Sequence, residues 1–329
     1  MLKKYNLLYL MMYMLSSFLI FYMNNYYSMW ILMELNLLLF IIFLIMSSKF
    51  LGNKIIKYYL INSFGSMIFL FFINMNLFKE NLNYFYILNF MMMLKLGMFP
   101  FHHWFIDLMI NLNWLMCFFL STWQKLIPLM ILMYFYIKNL IILLSIMGSL
   151  FSLMMVFNQI YLKKLMGYSS IIHLSWLMLS ILLGMKMWMI YFFIYSLTLY
   201  FFMIILNMLN FNLINEMYMY MNIYEMKILM FLLILSIGGI PPMFGFLIKM
   251  LFLNKMIELM EFFMLMILIF CSLVFLFYYI RLMFNMMMIE SFSMKFYLNY
   301  LYKKINYNLI FYIMMFLLMN LLMMIFWMF

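Results

Sequence analysis

The chain has 329 residues, of which 72% are hydrophobic and 8% are charged, and its formal net charge is +11. Globular domains carry about 25% charged residues, so this composition excludes a soluble domain. The apolar runs are continuous instead of alternating, which favours membrane-spanning helices over a transmembrane barrel. The basic residues form no cluster interleaved with aromatic residues, and we therefore expect no nucleic-acid partner.

Hydropathy and helix-breaking residues predict an all-α polytopic membrane protein with eleven transmembrane helices. The basic amino-terminal segment precedes an apolar run that is too long for a signal peptide and lacks a small-residue cleavage site. We therefore interpret this run as the first span. The predicted spans cover residues 5–24, 28–46, 56–74, 84–110, 114–136, 139–157, 169–184, 187–207, 228–250, 262–282 and 307–329.

Two of the predicted spans contain helix breakers, the fourth at Pro100 and the ninth at Gly238, Gly239, Pro241 and Pro242. Proline removes a backbone donor, and in lipid the freed carbonyl groups need a polar partner. Broken helices five spans apart predict two inverted five-helix repeats, each with a broken fourth helix, as in transporters whose broken helices carry the ion site. The expected boundaries are residues 1–329 for a single membrane domain, 1–136 for the first repeat, 139–282 for the second repeat and 307–329 for one additional helix.

Four ionisable residues lie inside predicted spans, namely Glu34, Lys95, Lys125 and Lys249. A charge at the centre of a spanning helix costs roughly 2.5–3.5 kcal/mol, so such residues usually have a function. Lys95 and Lys125 lie about ten residues inside their spans, which is deep for a lysine that snorkels from a helix end. Lys125 is expected in an unbroken span, beside Gln124, which could hold water. Lys249 could instead end the ninth helix and reach the surface.

The buried charges predict a proton relay. Burial disfavours the charged forms of lysine and glutamate, so groups of this kind can exchange protons near neutral pH. If Glu34 titrates together with a nearby lysine, the occupancy of each site depends on the other. His102 and His173 are possible further members because imidazole titrates near neutrality, whereas His103 is expected to pack. The adjacent His102 and His103 point to different helix faces, and we expect no metal site. We also recognise no nucleotide loop, nucleophile elbow or haem motif, and expect no redox group.

Four segments together resemble, in order and spacing, the antiporter-like membrane subunits of respiratory NADH:ubiquinone oxidoreductase, complex I. They read KLGMFPFHHWFIDLM, STWQKLIPLM, NQIYLKKLMGYSSIIHLSW and LSIGGIPPMFGFLIKM. The resemblance extends over residues 28–250. It implies a proton-translocating subunit of the membrane arm, similar to subunits of cation/proton antiporters. NADH oxidation and ubiquinone reduction would then take place on other chains.

The resemblance also implies roles for single residues. Glu34 and Lys95 match the charge pair of the first half-channel, Lys125 matches the central relay lysine, and Lys249 matches the lysine of the second broken helix. Each of these roles is carried over from the family, position by position. The proton relay suggested by the buried charges and the relay implied by the resemblance therefore involve the same four side chains.

Further positions agree with the family pattern or depart from it. His102 falls on the PFH motif of the family and His173 on its SSIxH stretch. Asp107 stands where the family usually has glutamate, and His103 stands where it has an aromatic residue. Ile248 replaces a proline that commonly precedes the last lysine, and we expect this replacement to alter the helix break near that lysine.

The resemblance implies that this chain has no cofactor of its own, with NADH, flavin, iron–sulfur clusters and ubiquinone bound on other subunits. Expected partners are the other membrane-arm subunits of complex I and membrane lipids, including cardiolipin. The expected location is the mitochondrial inner membrane. Loop charges divide twelve to four between the two predicted sides. By the positive-inside rule this bias predicts an amino-terminus in the matrix and a carboxy-terminus in the intermembrane space.

Two alternative functions are compatible with the sequence. A stand-alone cation/proton antiporter would use the same buried lysines, although no extra intramembrane acids for a sodium site are evident. A scaffold would use the charges only to fix helix packing. The mass of the solubilised protein would distinguish the antiporter, and proton pumping without the lysines would support the scaffold.

Overall fold

The fold is described from a computed structural model of the chain. The structure describes residues 2–47, 52–76, 82–209, 211–220, 224–241, 243–258 and 262–288. The predicted eleventh span, 307–329, and the predicted helix breaker Pro242 lie outside these described residues.

The described part of the chain is helical almost throughout. In hydrocarbon every backbone N–H and C=O must be satisfied internally, and a helix achieves this within one segment. Its fourteen α-helices are α1 Leu2–Leu19, α2 Tyr26–Ser47, α3 Gly52–Asn76, α4 Leu82–Leu96, α5 His103–Asn111, α6 Trp114–Ser121, α7 Trp123–Phe135, α8 Lys138–Val156, α9 Leu162–Leu182, α10 Met185–Leu209, α11 Ile214–Tyr220, α12 Tyr224–Gly238, α13 Phe244–Glu258 and α14 Phe262–Met288.

Seven helical segments are long and apolar enough to cross a membrane, judged by length and composition within the described residues. They are Tyr26–Ser47, Gly52–Met75, Trp114–Phe135, Lys138–Val156, Leu162–Leu182, Met185–Leu209 and Phe262–Asn285. Three shorter apolar helices are Leu8–Tyr22, Tyr84–Leu96 and Lys227–Gly238. The all-helical, multi-pass fold class is therefore confirmed. The number of eleven spans and the inverted repeats stay predictions.

Left-handed glycines end three of the helices. Gly97, Gly184 and Gly239 have φ angles of 65°, 97° and 83° and directly follow or closely follow α4, α9 and α12. Glycine is favoured at this position because a side chain is strained there. The chain can therefore turn sharply at these three points. Gly239 is itself one of the predicted helix breakers, and Gly97 lies three residues before Pro100.

The predicted fifth span, 114–136, matches the helical segment Trp114–Phe135, which has one irregular turn shortly before Lys125. The helices α6 and α7 meet at Thr122. The Thr122 hydroxyl donates to the carbonyl of Phe118 at 2.7 Å, a contact that bends helices. The Lys125 N–H then donates to the Thr122 carbonyl at 3.0 Å. This bond reaches back three residues, whereas an α-helical bond reaches back four. Pro128 inside α7 also supplies no backbone donor.

The chain divides into two compact units. Unit 1 comprises residues 1–156 and 163–185, and unit 2 comprises residues 157–162 and 186–329. In unit 1, α2 packs against α1 and α3, and α4 packs against α3 and α7. In unit 2, α12 packs against α13 and α14. The single domain of two five-helix repeats stays a prediction.

Candidate functional site

The break after α4 determines where Lys95 lies. The helix α4 ends one residue after Lys95, and the chain then passes through left-handed Gly97 and the cis Phe99–Pro100 bond before α5 begins. The Leu94 carbonyl, left without its helical donor, accepts from the Gly97 N–H at 3.2 Å and from the Trp104 indole N–H at 3.0 Å. These bonds fix the end of the helix, so Lys95 occupies the last turn at an interrupted span.

The Lys95 side chain is buried and passes close to α3. Only 8% of its surface is exposed, and its Nζ lies 3.5 Å from the sulfur of Met33 on α2. A Cβ placed on Gly65 of α3 would lie 3.3 Å from both Cγ and Cε of Lys95. The glycine therefore gives the lysine stem the space to cross α3.

Glu34 contacts α3 one residue beyond the glycine that lies beside Lys95. Its carboxylate is half-buried and accepts a hydrogen bond from the Ser66 hydroxyl. Glu34 and Lys95 are both among the described residues, and no ion pair within 4.0 Å joins them. The adjacent residues Gly65 and Ser66 thus contact Lys95 and Glu34 respectively. Direct proton exchange between the two charges requires a side-chain movement or an intervening group.

Lys125 is the most deeply buried of the four ionisable residues Glu34, Lys95, Lys125 and Lys249. It is 2% exposed, its Nζ lies 3.5 Å from the carbonyl oxygen of Ser170 on α9, and it lies 4.7 Å from the centre of the Phe105 ring. Among the described residues, no carboxylate lies within 4.0 Å of it. A backbone carbonyl and an aromatic face are weak partners for a buried ammonium, which normally has a counter-charge.

The two buried relay lysines of unit 1, Lys95 and Lys125, line one cavity. Its volume is about 30 Å³, which is room for about two water molecules at roughly 10–15 Å³ each. It lies where α2, α3 and α4 meet the α5–α7 segment, and its lining includes both apolar and polar side chains. The polar members of the lining are Asn36, Tyr58, Asn62, Lys95, Gln124 and Lys125.

A hydrogen-bonded chain holds the wall of this cavity. The Tyr58 hydroxyl donates to Gln124 Oε1 at 3.0 Å, and Gln124 Nε2 donates to the Tyr13 hydroxyl at 3.0 Å. Asn62 Nδ2 donates to the Tyr58 carbonyl at 3.0 Å. The sequence indicated Gln124 through its position beside Lys125. It gave no sign of Tyr13, Tyr58 or Asn62, because a chain with 27 tyrosines offers no spacing that singles out two of them.

The histidines occupy different environments. His102 is 2% exposed, and its ring centre lies 4.5 Å from that of Phe151. Within the described part of the chain neither of its ring nitrogens has a hydrogen-bond partner. His103 is exposed, with its ring centre 4.2 Å from that of His102. His173 is half-buried on α9, three residues after the Ser170 that contacts Lys125. The relay roles of His102 and His173 stay predictions.

Unit 2 contains the second interruption and its lysine. The helix α12 ends at Gly238, and α13 begins at Phe244. The Lys249 ammonium returns to this gap and donates to the Gly238 carbonyl at 2.9 Å. A Cβ on Gly239 would lie 2.9 Å from Lys249 Nζ, and a Cβ on Gly245 would collide with the Ser236 carbonyl. Close approach of α12 and α13 thus depends on two glycines, and Lys249 caps the end of α12.

Asp107 lies apart from the cavity. It forms an ion pair with Lys57 at 2.8 Å, and the two side chains are 53% and 51% exposed respectively. A solvent-exposed pair of this kind contributes little energy. Asp107, which departs from the glutamate of the family pattern, is therefore a surface residue of unit 1.

Comparison with known proteins agrees with this arrangement of broken helices and buried lysines. A family model described as NADH:quinone oxidoreductase/Mrp antiporter, transmembrane, matches residues 23–276. NADH-ubiquinone oxidoreductase chain 2 of Anopheles gambiae is 33% identical over 277 residues, which is 81% of each chain. Chain 2 of Locusta migratoria is 30% identical over 289 residues, covering 85% of this chain and 84% of the relative.

Solved structures share the fold at much lower identity. A chain of respiratory complex I from Thermus thermophilus superposes with a TM-score of 0.76 and 18% identity, over 85% of this chain and 70% of the other. A chain of the Mrp complex from a Dietzia species has a TM-score of 0.69 and 12% identity, over 80% and 56% of the two chains. The fold is that of an antiporter-like membrane subunit. The chain belongs to the NADH:quinone oxidoreductase/Mrp antiporter membrane family, and the two insect chains named above are relatives within it.

Proposed function

We propose that this chain is a core membrane-arm subunit of respiratory complex I that moves protons across the mitochondrial inner membrane. The curated relatives, which the chain matches over about four fifths of their length, are chains of NADH-ubiquinone oxidoreductase. NADH oxidation and ubiquinone reduction take place on other subunits, which also carry the flavin and the iron–sulfur clusters. This chain then contributes to the enzyme without a redox site of its own.

The single observation that carries the proposal is the cavity shared by Lys95 and Lys125. Both side chains are at least nine-tenths buried in apolar helices, and both line the same space of about 30 Å³. Water in this cavity would connect the two amino groups by hydrogen bonds, since polar groups at this depth require partners. A proton can then pass between the two lysines without crossing apolar protein.

Glu34 supplies a carboxylate that bonds Ser66, the residue of α3 after the glycine beside Lys95. An ionised Glu34 stabilises a protonated lysine nearby, and protonation of Glu34 favours proton release from that lysine. Ser66, which bonds Glu34 and adjoins Gly65, is suited to connect the two sites. The relay in unit 1 therefore comprises Glu34, Lys95 and Lys125, with His102 and His173 as possible further members.

Lys249 serves the second half-channel in unit 2. Its ammonium donates to the Gly238 carbonyl at the end of α12. The carboxyl end of a helix carries a partial negative charge, which favours a cation there. Loss of the proton from Lys249 weakens this cap, so proton release and the geometry of the second helix break are linked.

The wider architecture belongs to the same proposal. Eleven spans, in two inverted five-helix repeats with one additional helix, place the amino-terminus in the matrix and the carboxy-terminus in the intermembrane space. The partners are the other membrane-arm subunits and membrane lipids, including cardiolipin, and no nucleic acid. A stand-alone antiporter is not favoured, because the curated relatives are complex I chains over most of their length.

Substitution of Lys125 by methionine tests the proposal. Methionine fills a buried site of similar length at little packing cost, while the titratable group is lost. We expect Lys125→Met to leave assembly of the complex intact and to lower the number of protons pumped per NADH oxidised. A positioned proton-transfer group contributes about 10²–10⁴-fold to the rate of its step, so the loss should be large.

Lys57→Met is the matched control, since Lys57 is a lysine of the same unit in an exposed ion pair. It should retain the normal proton-to-electron ratio. An assembled Lys125→Met complex with a normal ratio would refute the relay and would favour a scaffold in which the buried charges only fix packing.

A further inference from the structure

Asn36 is a buried amide beside the relay lysines that the relay described above does not use. It is 3% exposed on α2 and lines the cavity shared by Lys95 and Lys125. Met33, three residues earlier and therefore on the same helix face, contacts the Lys95 ammonium at 3.5 Å. The helix α2 also packs against α7, which carries Lys125. Asn36 thus lines the same cavity as both lysines.

The oxygen of the Asn36 amide, Oδ1, lacks a hydrogen-bond donor within the described residues. By contrast, Gln124 is bonded at both ends of its amide, to Tyr58 and Tyr13. Nearly all buried polar atoms bond protein or ordered water. A cavity large enough for water, next to an amide with an unused acceptor, therefore identifies a water site.

We propose that the Asn36 amide holds the water molecule that carries a proton between Lys95 and Lys125, which makes Asn36 a positioning residue of the relay. This inference rests on the proposed function. An amide suits the position because it both donates and accepts hydrogen bonds and does not itself take up a proton in this range of pH. A carboxylate there would hold the proton, and an apolar residue would release the water.

The transfer balances without any further reactant. The Lys95 ammonium gives one proton to the oxygen of the bound water as that water gives one of its own protons to the neutral amine of Lys125. One N–H bond breaks at Lys95 and one forms at Lys125, and the water again has two O–H bonds. Asn36 keeps the water oxygen aligned between the two nitrogens during this exchange.

The test compares three substitutions in assembled complex I. Asn36→Leu keeps the branching of the side chain but removes both polar atoms, whereas Asn36→Ser keeps a hydroxyl that can bind water. Asn89→Leu is the matched control for loss of a buried amide. Asn89 lies on α4, is 0% exposed and also has an unpartnered Oδ1, but it bonds the Phe85 and Phe135 carbonyls outside the cavity lining.

We expect Asn36→Leu to lower the proton-to-electron ratio of the assembled complex and to slow the pumping step about fivefold, the factor for one lost hydrogen bond of average strength. It should also change the solvent deuterium isotope effect on pumping, which a purely structural residue would not alter. Asn36→Ser should restore most of the ratio. Asn89→Leu should reduce the amount of assembled complex without changing the ratio or the isotope effect.

Failure of this inference differs from failure of the proposed function. If Asn36→Leu keeps the normal ratio and isotope effect while Lys95→Met lowers the ratio, the lysine relay stands and the water site is refuted. If neither substitution lowers the ratio, both are refuted. If Asn36→Ser is as defective as Asn36→Leu, the role of the polar group in holding water is refuted as well.

Discussion

At the scale of single residues, the Ser66 hydroxyl is placed to respond to the protonation of Glu34. It contacts the Glu34 carboxylate and also lies 2.8 Å from the carbonyl oxygen of Ser63. A hydroxyl has one proton and can donate to only one of these acceptors at a time. An ionised Glu34 accepts the hydrogen bond that the Ser66 hydroxyl donates. A protonated Glu34 donates to the Ser66 oxygen instead, and Ser66 then donates to Ser63.

This arrangement predicts that Ser66→Ala slows proton transfer through the first half-channel. Hydrogen bonds to charged groups contribute about 1.5–3 kcal/mol, so loss of this one disfavours ionised Glu34 by a factor of about ten or more. The proton-to-electron ratio of the assembled complex should fall, because the carboxylate of Glu34 then loses its hydrogen-bond donor. Ser66→Thr retains the hydroxyl and should remain active. A normal proton-to-electron ratio in an assembled Ser66→Ala complex would contradict the connection.

Buried residues of the site differ in how far the sequence reveals them. Lys95, Lys125 and Lys249 are evident because a charge inside an apolar run is rare and costly. Asn36 and Ser66 are polar but uncharged, and similar residues occur throughout membrane helices for packing reasons. Their importance depends on which helix faces meet, and periodicity along one helix does not contain that information.

At the scale of helices, both interruptions have the same local form. The helices α4 and α12 each end just before a left-handed glycine, Gly97 or Gly239, and each break has a relay lysine in the adjoining half-helix. In the first case Lys95 precedes the glycine, and in the second Lys249 follows it by ten positions and returns to it. At the second break the lysine bonds the carbonyl at the helix end, whereas at the first break Gly97 and Trp104 bond the Leu94 carbonyl.

Comparison of two left-handed glycines tests this coupling. Gly239→Ala adds a Cβ that would lie 2.9 Å from Lys249 Nζ, whereas a Cβ on Gly184 meets nothing within 4 Å. Both substitutions place alanine in a left-handed conformation, which costs roughly 1–2 kcal/mol. We expect similar losses of thermal stability in the two assembled variants, but reduced pumping only in Gly239→Ala. Equal pumping in both would show that the contact with Lys249 is not needed.

The sequence predicted the helices better than their ends. The predicted span 139–157 coincides with α8 to within one residue, because its apolar run is bounded on both sides by polar residues. Pro100 correctly drew attention to the region of the first break, yet α4 ends at Leu96, because Gly97 adopts the left-handed conformation first. The irregular turn at Thr122 coincides with a hydroxyl that bonds the carbonyl of Phe118 in the preceding turn, and the sequence does not show which threonines make such a bond.

At the scale of the whole molecule, the proposed function requires the chain to exist inside a large assembly. The 40.8 kDa chain would migrate alone, or as a small oligomer, if it were a stand-alone antiporter. The exposed apolar faces of its helices suit either lipid or neighbouring membrane subunits, because both are apolar. Co-migration with NADH dehydrogenase activity in a native gel would support the assembly, and migration at the mass of the isolated chain would exclude it.

The distribution of loop charges predicts which way the chain is oriented. Twelve basic residues fall on one predicted side and four on the other, and basic loops remain on the side from which a membrane protein is inserted. The amino-terminus should therefore face the matrix, and eleven spans place the carboxy-terminus in the intermembrane space. Orientation determines the work of pumping, since each charge moved against the membrane potential costs about 2.3 kcal/mol per 100 mV.

Epitope tags at the two ends test orientation and span number together. In mitoplasts, from which the outer membrane has been removed, added protease should digest a carboxy-terminal tag and leave an amino-terminal tag intact. Detergent should expose both tags and serves as the control for protease access. An odd number of spans puts the two ends on opposite sides, so protection of both tags would refute the count of eleven. Protection of the carboxy-terminal tag alone would keep an odd count and reverse the orientation, so that protons would enter where the present assignment has them leave.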